Sequence, residues 1–211
     1  MFSNLTFDEI NSLNDTVKSE PYETYFGKME LSDAEREQRI RLAEQLENAF
    51  VGVLAYTFSM QQFDSVQWDD IRIRFENAYL VTLAGSIILN SKIQDYVRDF
   101  AQNVATSTRE HEADLYYYTT DRAMFMAENE ANTSLNYRQY YDAIESGRTM
   151  KRWVDIRDRR ERETHRMVGG ESIPIEDLFL VGTSLMAFPK DSTHGASGSE
   201  IVNWRCSIQY Y

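Results

Sequence analysis

Apolar residues recur at helical steps through the first 146 positions, and this pattern shortens after Gly147. A short helix is predicted from Phe7 toward Asp15, with Thr6 as its N-cap. The segment Pro21 to Gly27 reads as a loop. Ser32, Asp33, Ala34 and Glu35 make a capping-box pattern, in which the serine accepts from a first-turn amide and the glutamate reaches back. Behind it Ile40, Ala43, Leu46, Phe50 and Val53 recur at steps of three and four, which predicts a helix to about Met60. A third helix is expected from Ser65–Trp68 through Ile71, Phe75, Ala78 and Tyr79. It is expected to continue to about Val104, with Ile93, Tyr96, Val97 and Phe100 on one face. A fourth runs from about Thr119 to Ser146, closed by Gly147 as C-cap.

Beyond that glycine the apolar runs are too short for helices of this kind. Met150, Arg152, Val154 and Ile156 share one face at period two, which predicts a strand. Ser172 to Ile175 and Leu178 to Val181 read as short strands or loop edges, with Pro174 tolerated only at a sheet edge. Asp191 to Ser199, with Gly195 and Gly198, reads as a flexible loop, and Ile201 to Tyr210 as a closing strand. The expected fold class is therefore α+β, an N-terminal helical region followed by a small strand-and-loop C-terminal module. Residues 1–118 are expected to be the helical region and 119–211 the second domain.

Composition narrows the function classes. Hydrophobic residues make up 42% and aromatic residues 13%, enough for a packed core. The net charge of −12 is ill suited to coating nucleic acid with the whole surface, because phosphate contacts need clustered Lys and Arg. One cysteine, Cys206, excludes an internal disulfide. One cysteine with His111, His165 and His194 is a poor ligand set for structural zinc, so no metal and no cofactor are expected. No apolar run is long enough to span a membrane, and the N-terminus lacks the basic and apolar segments of a signal peptide, so a cytoplasmic protein is expected. Tyr116, Tyr117 and Tyr118 are expected to pack between helices rather than stack bases. Tyr137, Tyr140 and Tyr141 make a helix face, either core or a partner-binding stripe.

The densest chemistry lies in Lys151 to Met167, KRWVDIRDRRERETHRM. Its composition fits a solvated face of alternating charges, but the order of its residues says more. Lys151-Arg152-Trp153 is followed by Asp158, Arg160, Arg162 and His165 at D-x-R-x-R-x-x-H spacing, then by Gly169, Phe179 and Pro189, and finally by Asn203-Trp204-Arg205-Cys206. This ordered set resembles the phage Mu protein F-like head-morphogenesis family of minor head proteins. That family's domain shows a Lys-x-Trp opening, the same Asp/Arg/Arg/His core with a following glycine, and a terminal Asn-Cys-Arg-Cys box. Trp204 stands where the box has its first cysteine. Upstream, Glu130 and Asn136 match a degenerate form of the family's Arg-Thr-Glu helix, with Glu128 and Asn129 in place of its arginine and threonine. The resemblance covers about Thr119 to the C-terminus.

The resemblance implies a phage minor head protein acting in head morphogenesis, tied to the portal and other capsid components, with roles in DNA packaging or ejection. It implies a virion location after assembly in the host cytoplasm, and a binding protein rather than an enzyme. Lys151, Trp153, Asp158, Arg160, Arg162, His165, Gly169, Asn203, Arg205 and Cys206 are the motif residues, expected to form a structural network or contact. Arg157, Arg159, Arg160, Arg162 and Arg166 are candidate non-specific DNA contacts. Other readings of the same residues stay open: a metal held by Asp158, His165 and Cys206, or a nuclease or transferase site with His165 as acid–base. As whole-protein alternatives stand a DNA-end-binding protein delivered with the genome and an effector enzyme.

Overall fold

A computed structural model describes residues 5–87, 89–156, 162–197, 200–201 and 205–211. The fold is α+β, mostly helical toward the N-terminus, with antiparallel strands toward the C-terminal end. It forms two compact units. The first comprises residues 1–20 and 41–128, the second residues 21–40 and 129–211.

In the first unit, α1 (Phe7–Leu13) begins at Thr6 with the predicted cap. The Thr6 hydroxyl accepts from the Glu9 amide at 3.2 Å, and the Glu9 carboxylate accepts from the Thr6 amide at 2.7 Å. α3 (Asp33–Gln62) enters this unit at Arg41. α4 (Trp68–Ala84) and α5 (Ser91–Glu110) follow where one continuous helix was expected. The reason is local. The chain leaves the helix at Gly85, and the Asn90 side chain accepts from the Ile93 amide at 3.0 Å, which starts a new helix. The rings of Phe50, Phe75, Tyr79 and Phe100 pack at centroid distances of 5.1–5.9 Å. Each such pair contributes about 0.5–1.5 kcal/mol beyond its buried area. A second cluster joins Ile10, Phe58 and Tyr118, so the tyrosine run packs against helices as expected. Tyr116 and Tyr118 lie in a short 3₁₀ helix, Leu115–Tyr118. Asn11 then accepts from the Thr120 amide at 2.7 Å, which caps α6 (Thr120–Glu145) from a distant part of the chain.

The second unit holds α2 (Tyr22–Gly27), the start of α3, and α6 from Asn129. The loop expected over Pro21–Gly27 is this helix, because Tyr22, Tyr25 and Phe26 turn onto one buried side. The Ser32–Glu35 capping box that opens α3 is present, the serine hydroxyl accepting from the Glu35 amide at 3.3 Å. α6 ends as predicted at Gly147, with φ +72 and bonds from Gly147 to Ile144 and from Arg148 to Ala143.

β1 (Met150–Val154) is the centre of an antiparallel sheet between β2 (Ser172–Pro174) and β5 (Ser207–Tyr210). Lys151 faces Tyr210 across the strands, Trp153 faces Ile208, and Met150 faces Pro174. Pro174 therefore sits on an edge, where its missing N–H costs no ladder bond. β3 (Phe179–Val181) and β4 (Ser184–Met186) form a separate hairpin turning at Gly182, φ +62. Between β1 and β2 lies α7 (Glu163–Val168), a helix the charge-dense sequence did not announce.

Candidate functional site

The pleat of β1 decides which motif residues go inward. Lys151 and Trp153 point into the core and are fully buried, while Arg152 between them is exposed. The Trp153 ring lies 5.7 Å from the His165 ring at 67° and 5.2 Å from Phe179 at 73°. α7 holds His165 with no exposed surface. Its Nδ1 lies 3.4 Å from the Cys206 Sγ, and its Nε2 lies 3.1 Å from Glu200 Oε2. A carboxylate can only accept, so Nε2 carries the hydrogen, and Nδ1 accepts from the cysteine thiol. Burial pushes the His165 pKa down to about 4, against the opposing pull of the Glu200 carboxylate. The imidazole is therefore neutral at pH 7. Glu200 is fixed in turn by the Thr164 hydroxyl at 3.0 Å.

Connectivity of thiol, imidazole and carboxylate is that of a nucleophile, base and orienting group. Access is not. Cys206 is 2% exposed, and a thiol packed inside apolar surroundings is inert toward dissolved substrates. Nor does the cluster form a metal cage. The two ring nitrogens of His165 face different partners on opposite sides of the ring, so one ion cannot take both Cys206 and Glu200 through it. Among the described residues no group of three or more His, Cys, Asp or Glu converges on a metal position.

Lys151 occupies the neighbouring part of the core. Its ammonium donates to the Ala187 carbonyl at 2.8 Å and lies 5.1 Å and 5.3 Å from the rings of Tyr140 and Phe179. Burial lowers its pKa to about 8, opposed by Asp191 and Asp177. The tyrosine face of α6 is core here, since Tyr137 and Tyr140 pack on Phe188 at 5.8 Å and 5.2 Å. Gly169 is required by a close approach. A Cβ there would stand 2.4 Å from the Asp155 carboxyl carbon. Arg205 is buried with its guanidinium 5.8 Å from the Tyr25 ring. Arg162 and Arg166, the N-cap and the fourth residue of α7, are exposed. Asp158, Arg160 and Asn203, together with Arg157 and Arg159, lie outside the described residues.

The structure thus brings Trp153, His165 and Cys206 together and sets Lys151 on the same strand face. Sequence reasoning missed the partners. Glu200 carries no pattern that marks it. Arg39 had a signal, because it precedes Ala43, Leu46 and Phe50 at helical steps and so occupies the apolar stripe. It is fully buried and donates to Asn132 Oδ1 at 3.0 Å, Asn136 Oδ1 at 2.9 Å and Gln139 Oε1 at 3.1 Å. Burial lowers its pKa to about 10, with Glu35 opposing. Asn136, singled out in the sequence, is therefore an acceptor for this guanidinium. It also donates to the Pro189 carbonyl at 3.1 Å. Asp191, expected in a flexible loop, is 1% exposed and organises that loop. Its carboxylate accepts from the Ala187 and Thr193 amides at 2.7 Å and 2.8 Å and from His194 at 2.7 Å. No protein-family profile, curated protein or solved structure matches this chain.

Proposed function

We infer that this chain is a phage minor head protein, a low-copy virion component that binds the portal or another capsid protein during head morphogenesis. One observation supports the reading most. Motif residues distant in sequence meet in one buried cluster, where Trp153 packs on His165 and His165 reaches Cys206, 41 positions away. An accidental string of matching letters carries no reason to converge in space. The cluster's burial favours a binding protein over an enzyme, because neither the His165 ring nor the Cys206 thiol faces solvent. Arg162 and Arg166 stand four apart and exposed, which suits a local phosphate contact despite the acidic whole.

Quantitative mass spectrometry of purified virions tests the proposal. A few copies per particle, scaling with the portal protein, is the expected result. Absence from both virions and procapsids overturns it. For DNA, the double variant Arg162→Ala with Arg166→Ala is expected to weaken low-salt binding in a salt-dependent way. Unchanged binding removes that contact from the proposal.

A further inference from the structure

In the first unit, His111 closes α5 as its C-cap, and its ring lies parallel to the Tyr117 ring, with 3° between the planes and 4.4 Å between the centroids. The Ser107 carbonyl lies 2.9 Å from Nδ1 and can only accept, so Nδ1 donates and the imidazole is held in one orientation. From the buried side, the Arg122 guanidinium stands 4.3 Å from the centre of the Tyr117 ring. It donates to the Tyr117 carbonyl at 2.7 Å and to the Thr108 hydroxyl at 2.8 Å. The turn after α5 is fixed as well. The Asp114 amide donates to the His111 carbonyl at 2.9 Å, and the Tyr118 hydroxyl to the Glu112 carbonyl at 3.2 Å. His111 itself is exposed, so a supported flat ring meets solvent. The charges beside it are mostly negative. Glu110, Glu112 and Asp114 are exposed against one exposed cation, Arg109, while Lys18 is held 3.9 Å over the Tyr116 ring. α5 also ends here, and the C-terminal end of a helix favours a positive charge.

The same unit shows how a ring and a carboxylate together hold a guanidinium. Arg74 lies 4.0 Å from the centre of the Tyr56 ring while its Nε donates to the Asp70 carboxylate at 2.7 Å. His111 with Glu110 and Glu112 presents those two elements outward. We propose that this stack is the docking point for an arginine side chain of a protein partner. The guanidinium lies flat on the imidazole and reaches the neighbouring carboxylates with its fork of donors. Lysine fits less well, because an ammonium is compact, strongly hydrated and unable to stack. Nucleic acid fits less well for a different reason. A base could stack on the ring, but its phosphates would meet exposed carboxylates in a unit whose net charge is −9. The inference rests on the reading of the chain as a binding protein, and it gives the chemistry of one contact, a basic segment that carries arginine.

Titration of the full chain with hexa-arginine and hexa-lysine peptides at low salt, followed by NMR on the histidine ring protons, is the test. The arginine peptide should shift the His111 ring protons and bind about threefold to tenfold tighter than the lysine peptide. His111→Ala should erase that preference and His111→Phe, which keeps a ring, should retain it. Glu110→Gln with Glu112→Gln should weaken both peptides. Equal binding of the two peptides by the wild type overturns the proposal, and so does an arginine preference that survives His111→Ala. Single-stranded oligothymidine that binds at His111 more tightly than the arginine peptide overturns it as well. Because the wild-type comparison decides alone, a variant that fails to fold does not blur the result. Copy number in virions is a separate measurement, so failure of the head-protein reading and failure of this contact are told apart.

Discussion

The two compact units solve the problem of an interior differently. The first packs rings: Phe50, Phe75, Tyr79 and Phe100 share one cluster, and Ile10, Phe58 and Tyr118 another. Its charges stay mostly outside, with Arg122 and Glu128 the charged residues buried there among those described. The second unit buries Arg39, Lys151, His165, Lys190 and Asp191 together with Asn132 and Asn136. Net charge differs between the units too. By sequence the first unit has 17 Asp or Glu against 8 Lys or Arg, a net −9, and the second 17 against 14, a net −3. Non-directional apolar packing tolerates many solutions, whereas a buried polar network specifies one arrangement or fails. Lys151, Trp153, His165 and Cys206, the buried residues of the candidate site, all belong to the unit whose core is polar.

The sharpest way to break that comparison is a pair of volume-conserving substitutions. Arg39→Met should destabilise by about 3–5 kcal/mol, because it takes the guanidinium donor from the buried Asn132 and Asn136 oxygens and the part-buried Gln139 oxygen. Leu46→Met should cost less than about 1.5 kcal/mol, since the replacement conserves volume and stays apolar at a fully buried position of the first unit. Guanidinium unfolding midpoints check both, and a costlier Leu46→Met would sink the contrast. Acidification gives the next effect. His165 is neutral when folded, with its pKa at about 4 against 6.5 when free. The unfolded state thus binds more protons between those values. Stability present above pH 6.5 should fall as pH drops toward 4, by about 3 kcal/mol in all. Melting temperature followed across that range should slope in the wild type and flatten in His165→Gln. If both slope equally, the histidine is not the sensor.

Smaller effects complete the comparison. Gly169→Ala should cost about 1–2 kcal/mol, as the new methyl must displace the Asp155 carboxyl group. A measured cost near zero would mean that carboxyl group moves freely. In the first unit, Thr6→Ala removes the α1 cap and should cost about 1 kcal/mol. Thermal melts resolve both.

Legibility in the sequence followed the range of the interaction. Thr6, Ser32 and Gly147 end or start helices through bonds spanning three to five residues, so their patterns predicted the caps that form. The break at Gly85–Asn90 was missed because the apolar period runs on across it, while one asparagine hydrogen bond restarts the helix. α2 was missed for the opposite reason, since six residues around Pro21 carry too short a period. Within the candidate site, the order of Lys151, Trp153, His165 and Cys206 marked residues that the fold buries. Glu200 escaped because a partner reached across the chain leaves no local mark. Arg39 escaped although its step to Ala43, Leu46 and Phe50 places it in the apolar stripe, and Asp191 because its bonds to Ala187, Thr193 and His194 lie in a polar, glycine-bearing stretch that reads as flexible.

By itself, then, the sequence determined the α+β class, the helix boundaries at Thr6, Ser32 and Gly147, and the edge position of Pro174, all consequences of local geometry and apolar period. Tertiary structure alone decided which polar residues go inside and what they touch. His165 is a neutral imidazole, accepting from a thiol and donating to a carboxylate, only because burial removes water from around it. Lys190 meets Asn129 only because a turn 61 residues away in sequence is clamped against the same helix. Desolvation and long-range contact are properties of the folded chain, and no spacing of residues along the sequence encodes them directly.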